Sequence, residues 1–249
     1  MKIIGIIPAR YGSSRLPGKP LKDICGKPMI QHVYERAQES QRLDTVVVAT
    51  DDQRIVDAVK AFGGEAMMTS LDHQTGSDRI AEVARAYDCD IVVNIQGDEP
   101  LIMPEIIDEI IDALIDTPEV PMATGCYKLP DDEELLNNEN VVKVVFDTKG
   151  RALYFSRSLM PYPRKSETFA AYEHIGIYAY RKDFLMKYIT LPNTPLSQTE
   201  SLEQLKVLEN GYSIQVVPTK FPYNALSVDT EEDLQTVIRL YTEKHGGQA

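Results

Sequence analysis

The sequence predicts an α/β fold: a doubly wound, mostly parallel sheet with a smaller antiparallel α+β lid portion. Three observations predict it. Over the first hundred residues, short apolar runs alternate with stretches of helical periodicity. After about residue 120 the pattern turns to closely spaced strands separated by turn residues. With 249 residues, the chain is long enough to bury a sizeable core in one large domain.

The elements follow in order. Ile3–Pro8, Thr45–Thr50 and Ile91–Ile95 are apolar, β-rich and bounded by polar or turn residues. Runs of that kind suit strands covered on both faces. Between them, Met29, Ile30, Val33, Tyr34 and Ala37 make one helical stripe, and Ile55, Val56, Val59 and Phe62 make another. Pro104 suits the first turn of a helix whose stripe is Ile106, Ile107, Ile110, Ile111 and Leu114. Further on, Val141–Phe146, Ala152–Phe155 and His174–Tyr180 read as strands, the first two joined through Thr148-Lys149-Gly150. Met160–Arg164 is a proline-rich loop. Thr199–Asn210 is expected as one helix closed by Gly211, and Glu231–Lys244 as a last amphipathic helix capped by Thr230 or Asp229. No repeat or linker interrupts the chain, so a single domain is expected, with residues 125–220 as its lid portion.

Composition narrows the function. The content is ordinary for a globular protein, 43% hydrophobic and 26% charged. A net charge of -12 argues against a nucleic-acid partner. The first apolar run is broken by Gly5 and stopped by Pro8, too short for a signal peptide or a membrane span. Cys25, Cys89 and Cys126 have neither paired nor metal-type spacing and suit reduced thiols in the cytoplasm, and the four histidines form no zinc motif. Charge is unevenly spread. Residues 1–36 hold seven cations (Lys2, Arg10, Arg15, Lys19, Lys22, Lys27, Arg36) against Asp23 and Glu35, a local +5. Such a patch on an acidic chain suits either a small polyanion or a solvated surface.

The run Pro8-Ala9-Arg10-Tyr11-Gly12-Ser13-Ser14-Arg15-Leu16-Pro17-Gly18-Lys19-Pro20 directly follows the first strand. In parallel sheets, ligands collect at the carboxyl ends of strands. Gly12 and Gly18 permit close backbone approach, with amides free to face phosphate oxygens. Arg10 and Arg15 add planar forks and Lys19 a point charge. The run lacks the Gly-Lys-Ser/Thr of a Walker A loop and the glycine spacing of a dinucleotide fingerprint.

This loop, with Gly26-Lys27-Pro28-Met29-Ile30 and the stretch from Val46 to Asp52, resembles the sugar nucleotidyltransferases that activate acidic sugars with CTP. The resemblance is strongest to the CMP-Kdo synthetase (3-deoxy-manno-octulosonate cytidylyltransferase) family. It continues through Asp72-His73-Gln74-Thr75-Gly76-Ser77-Asp78-Arg79, Asn94-Ile95-Gln96-Gly97-Asp98-Glu99-Pro100 and Ala152-Leu153-Tyr154-Phe155-Ser156-Arg157. His174-Ile175-Gly176-Ile177-Tyr178, Ser201-Leu202-Glu203-Gln204-Leu205 and Val228-Asp229-Thr230 complete it. The order and spacing of these segments carry more weight than any one of them. The resemblance implies a fold of the nucleotide-diphospho-sugar transferase type.

It also implies roles. CTP is expected at Pro8, Ala9, Arg10, Ser13, Ser14, Lys19, Gly76, Ser77, Arg79 and Gln96. Arg10, Arg15, Lys19 and Asp98 are the expected catalytic residues. Asp98, after a tight Gln-Gly turn, lies at the sheet edge that carries the loop and can be one ligand of Mg²⁺; the resemblance puts the second at Asp229. Spacing alone reads Asp229 as a helix cap. A sugar acid, Kdo, is expected at Arg157, His174, Tyr178, Glu200 and Gln204. Glu200 and Gln204 are expected four apart on one helix face. His73 is given no chemistry. The chain departs from the family in Thr-Gly-Ser at 75–77 for Ser-Gly-Thr, in Ser227 for a glycine, and in Lys206 for an arginine.

The implied reaction is attack of the anomeric 2-hydroxyl of Kdo on the α-phosphate of CTP, giving CMP-Kdo and pyrophosphate for lipopolysaccharide or capsule synthesis. A cytoplasmic homodimer is implied, with the antiparallel portion as the contact. The nearest alternative is the same chemistry on an amino analogue of Kdo or a sialic-type acid. A glycosyltransferase is disfavoured, because Asp98 is followed by Glu99-Pro100 and not by an Asp-x-Asp pattern. A non-catalytic nucleotide-binding module is disfavoured by the presence of Asp98 and Lys19.

Overall fold

The computed structural model describes residues 1–12, 15–73, 75–223 and 226–245. The expected loop positions Ser13 and Ser14, and Gln74 of the second motif, lie outside the described residues. The chain falls into two compact units, residues 1–108 with 224–249, and residues 109–223. The second encloses the stretch expected as a lid.

The first unit opens with β1 (Ile3–Ala9), a short hairpin β2 (Asp23–Ile24) and β3 (Lys27–Pro28), and α1 (Met29–Gln38). Next come β4 (Thr45–Thr50), α2 (Gln53–Ala61), β5 (Ala66–Met68), α3 (Gly76–Ala86) and β6 (Ile91–Asn94). All five predicted stripe residues of α1 are buried. Asp52 caps α2 by accepting from Arg54 N, and Thr75 with Asp78 forms a capping box on α3. Every residue of β6 is buried, as expected of a strand covered on both faces.

Apart from the antiparallel β2–β3 hairpin, these strands pair in parallel, in the order β6-β1-β4-β5. The chain builds outward from β1 to β4 and β5, then returns to place β6 on the other side of β1. The order therefore reverses between β1 and β6, and crevices at such reversals hold ligands at the carboxyl ends of the strands. Two of the predicted segments begin there: the loop after Ala9 and the turn leading to Asp98.

The chain passes from the first unit to the second along α4 (Pro104–Asp116). β7 (Met122–Lys128), α5 (Glu133–Asn137), β8 (Lys143–Phe146), β9 (Ala152–Ser156) and β10 (Tyr172–Arg181) follow. Then come α6 (Lys182–Tyr188), α7 (Pro195–Glu200), α8 (Leu205–Glu209) and β11 (Ile214–Pro218). β10 runs antiparallel to β7 and meets β8 at Glu173 and Lys143; β8 and β9 form the predicted hairpin. β11 is parallel to β7.

One expected helix is corrected. Residues 199–210 are not continuous, because Ser201 takes a left-handed backbone with φ 53° and ends α7. Leu202 N–H bonds back to Ser197 O at 3.0 Å, the long closure of a Schellman turn. α7 also starts earlier than expected, at Pro195, where Thr194 and Ser197 form a capping box without a Glu or Gln. Glu200 and Gln204 therefore stand on either side of a break, not on one helix face.

The C-terminal helix Glu231–His245 belongs to the first unit. Thr230 caps it: its hydroxyl accepts from Asp233 N at 3.2 Å, and Asp233 Oδ2 accepts from Thr230 N at 2.8 Å. That leaves the neighbouring Asp229 carboxylate for other partners. Among the described residues no helix is long and apolar enough to cross a membrane.

Candidate active site

The loop after β1 is held by its own apolar residue. Leu16 is buried in a cluster with Ile24, Met29, Val228, Leu234 and Val237. Burying one leucine contributes about 2 kcal/mol. The Arg15–Asp229 ion pair at 3.0 Å has an arginine 65% exposed, and such surface pairs contribute about 0–1 kcal/mol. Leu16 thus does more than Arg15 to fix the loop. Gly18 N–H donates to Tyr11 O at 3.0 Å and closes the loop. Gly18 has φ 67°, which glycine adopts without a side-chain penalty. The Tyr11 ring lies under the Arg54 guanidinium at 3.3 Å, and Arg54 is itself forked onto Asp52 at 2.8 and 2.6 Å.

Lys19 lies between two carboxylates. Its Nζ is 2.8 Å from Asp98 Oδ2 and 3.0 Å from Asp229 Oδ1. Burial opposes its charge, but Asp98 and Asp229 outweigh burial and hold the ammonium above its ordinary pKa. It is therefore a fixed cation at neutral pH. Asp229 is brought here by a backbone bond, Val228 N to Asp98 O at 2.8 Å. Ser227, expected from the resemblance to depart from a usual glycine, is absent from the positive-φ positions and needs no glycine backbone. The two carboxylates offer hard oxygen ligands aimed at one cation, and Mg²⁺ takes one or two such groups plus phosphate oxygens and water. Among the described residues no group of three or more His, Cys, Asp or Glu side chains could hold a metal ion. An ion here would draw its remaining ligands from phosphate and water.

Gly97 sets the position of Asp98. A Cβ at Gly97 would lie 2.7 Å from Pro8 O, a backbone atom that cannot swing aside. Gly97→Ala is expected to cost about 1–3 kcal/mol, as overpacking does, and to displace the Asp98 turn from the end of β1. Thermal unfolding and CTP kinetics check it; a variant with both unchanged would contradict the close approach.

The second motif forms the start of α3. Gly76 and Ser77 occupy its first turn, where amides face outward and favour anions. A Cβ at Gly76 would meet the Pro8 ring at 3.6 Å, an ordinary contact, so packing inside the protein does not demand glycine there. Arg79, expected at CTP, is placed otherwise. It is fully buried, with NH2 2.6 Å from Asp51 Oδ2 and NH1 bonded to Thr69 Oγ1. Its guanidinium ties α3 to the ends of β4 and β5. Pro8, Ala9 and Gln96 lie at the ends of β1 and β6, as the motif spacing implies.

In the second unit, Glu200 organises the end of β9. Its carboxylate accepts from Ser156 Oγ at 2.7 Å, Arg157 N at 3.0 Å and Tyr154 Oη at 3.5 Å. Burial pushes its pKa up, but these donors outweigh burial and hold it below the ordinary carboxylate range. Arg157 Nε donates to Glu200 O at 2.8 Å and NH1 to Glu139 O at 2.9 Å. Gln204 is buried beside the break after α7. Lys206 holds its ammonium 4.0 Å over the Tyr188 ring. Ser156 and Tyr154 join the site only through the fold, since nothing in the sequence around β9 marks them apart from Arg157.

His174 and Tyr178 share a face of β10, their rings 5.4 Å apart. Thr124, opposite Tyr178 on β7, was not found from sequence, because the register joining the strands is non-local. Its Oγ lies 2.7 Å from Ile177 O, 3.0 Å from Ile175 O and 2.9 Å from His174 Nε2. A hydroxyl has one proton to give, and the carbonyls can only accept it. His174 Nε2–H therefore donates to Thr124, which leaves Nδ1 as an acceptor.

Burial lowers the His174 pKa to about 3, so it is a neutral hydrogen-bonding group and not a cation for a carboxylate. Because the folded value lies below the ordinary 6.5, the folded state binds fewer protons than the unfolded state. Stability is full above pH 6.5 and is lost as pH falls towards 3. His174→Gln is expected to flatten the loss of stability between pH 7 and 5 by on the order of 1 kcal/mol. Urea midpoints at the two pH values check it, and an unchanged slope would contradict it.

A Cytidylyltransferase family model matches residues 4–214. The 3-deoxy-manno-octulosonate cytidylyltransferase of Geotalea uraniireducens is 52% identical over 249 residues, covering 96% of this chain and 98% of that one. The same-named enzyme of Geobacter sulfurreducens is 51% identical, with coverage of 96% and 98%. A solved structure of CMP:2-keto-3-deoxy-manno-octonic acid synthetase complexed with CTP superposes with a TM-score of 0.94 at 46% identity. That match covers 98% of this chain and 100% of the solved one. The triad of Lys19, Asp98 and Asp229 thus sits on a fold and a sequence shared from end to end with these enzymes, and the chain belongs to the cytidylyltransferase family, among the 3-deoxy-manno-octulosonate cytidylyltransferases.

Proposed function

We propose that this enzyme transfers CMP from CTP to the anomeric 2-hydroxyl of Kdo. The bond from that oxygen to the α-phosphorus forms, the bond from the α-phosphorus to the bridging oxygen breaks, and pyrophosphate leaves. The hydroxyl proton passes to solvent, since no side chain stands out as a general base. The observation that carries the reading is the placement of Lys19, Asp98 and Asp229 at the strand reversal beside the loop. Phosphate transfer is catalysed chiefly by positioning and charge, and these residues supply both.

In this reading Arg10, Arg15 and Lys19 hold the triphosphate, with Ser13 and Ser14 of the same loop. Gly76, Ser77 and Gln96 receive the nucleotide, and the room at Gly76 supports that assignment. Arg79 acts from behind, by fastening the segment that carries them. Asp98 and Asp229 would hold Mg²⁺, which when bound offsets triphosphate charge and orients an in-line attack. Arg157, His174, Tyr178, Glu200 and Gln204 take the sugar acid: Glu200 fixes the backbone of Arg157, and neutral His174 offers a hydrogen-bond acceptor to a polyol. Residues 125–220 serve as the sugar-acid portion and as the contact of a homodimer. The cytoplasm, where CTP is made, suits three free cysteines.

Pyrophosphate release, measured with each nucleoside triphosphate against Kdo, an amino analogue of Kdo and a sialic-type acid, tests the reading. Release with CTP and Kdo supports it. Release with CTP and only another acid replaces the substrate, and no release with any pair sinks the enzymatic reading.

A further inference from the structure

The three loop cations are anchored by different chemistry. Lys19 and Arg15 are paired with carboxylates. Arg10 donates through NH2 to a backbone carbonyl, His73 O, at 2.7 Å. A carboxylate orients a guanidinium and also offsets its charge. A carbonyl orients it and leaves the charge whole. Whatever fixes the His73 carbonyl therefore aims a full positive charge.

That carbonyl is fixed by its own side chain. His73 Nε2 bonds to Glu82 Oε2, and the same oxygen accepts from Ser70 N at 3.0 Å. The histidine is 19% exposed and the glutamate 32%, so the pair is partly shielded from water. The Ser70 N–H, against the opposing pull of burial, and the His73 ring hold the Glu82 carboxyl below its ordinary range. Glu82 lies four residues after Asp78 on α3, and residues so spaced share a helix face. Asp78 closes the capping box on Thr75, and Arg79 holds Thr69. Thr69, His73 and Thr75 are thereby each tied to α3.

We propose that His73 and Glu82 form a positioning pair for cytidylyl transfer, holding the residue-73 carbonyl where it aims the Arg10 guanidinium at the triphosphate. The pair acts through Arg10 and touches no substrate. The inference rests on the assignment of Arg10 to the triphosphate made above.

A double-mutant cycle between His73→Phe and Arg10→Ala tests it, read as kcat and as KM for CTP and for Kdo separately. Phe keeps the ring volume and removes the hydrogen bond. Expected is a loss of about 10-fold in kcat/KM for CTP in each single variant, little change in KM for Kdo, and less than about 2-fold further loss in the double variant. Glu82→Leu should match His73→Phe. Glu82→Gln, which keeps an acceptor for the ring, should retain most of the activity. Should His73→Phe not fold, His73→Gln runs the same cycle. Losses that multiply in the double variant, or equal losses towards CTP and Kdo, would overturn the positioning role while leaving Arg10 at the phosphates. An Arg10→Ala enzyme with unchanged CTP kinetics would instead overturn the assignment of Arg10, and the inference with it.

Discussion

Asp98→Asn is expected to lower kcat by about 10³-fold while the protein stays folded, the scale lost when one preorganised charge contact is removed from an acyl- or phosphoryl-transfer site. Asn has nearly the shape of Asp, and its amide oxygen still accepts from Lys19 Nζ. The backbone bond from Val228 N to Asp98 O does not involve the side chain. Lys19 also keeps Asp229 at 3.0 Å. The fold therefore loses one partly exposed ion pair, worth about 1 kcal/mol or less. The site loses one of the two carboxylates proposed above to hold a divalent cation. Kinetics at saturating CTP beside a thermal melt separate the two effects. A rate within a few-fold of the parent enzyme would remove Asp98 from the machinery.

Glu200→Ala is expected to raise KM for the sugar acid by about 10-fold and to destabilise the protein by about 2–4 kcal/mol, the scale of stranding donors that served a charged acceptor. Ser156 Oγ, Arg157 N and Tyr154 Oη all lose their acceptor at once. The bond from Arg157 Nε to Glu200 O uses the backbone and survives, so Arg157 is loosened and not released. Because Glu200 is held below the ordinary carboxylate range, its contribution is present above that range and is lost as pH falls through the lowered value. The variant should show a flatter acid limb as well as a lower melting temperature. A normal KM for the acceptor, with only stability reduced, would make Glu200 structural alone.

What the sequence discloses follows from how local each feature is. The parallel sheet is legible because buried strands write themselves as continuous apolar runs. The loop from Arg10 to Lys19 is legible because its glycines and cations are adjacent in the chain. Asp229 is not: spacing makes it a helix cap. Only the fold shows Thr230 taking the cap and Val228 joining Asp98 from 130 residues away. The break at Ser201 carries no glycine, so nothing in the pattern 199–210 announces it. Arg79 is expected at CTP from its motif and lies in the structure as a buried strut, because Asp51 and Thr69 meet it only after β4, β5 and α3 have packed. Thr124 depends on strand register and has no local signal. His73 reads as a surface histidine until Glu82 is seen beside it.

Transfer of label from CTP carrying a labelled α-phosphorus, in the presence of Mg²⁺ and Kdo, tests the central claim most directly. Label is expected in CMP-Kdo with one equivalent of unlabelled pyrophosphate, and both products should form about 10³-fold more slowly when Asp98→Asn replaces the parent enzyme. Label appearing only in free CMP, or remaining in CTP while Kdo is unchanged, would contradict the account.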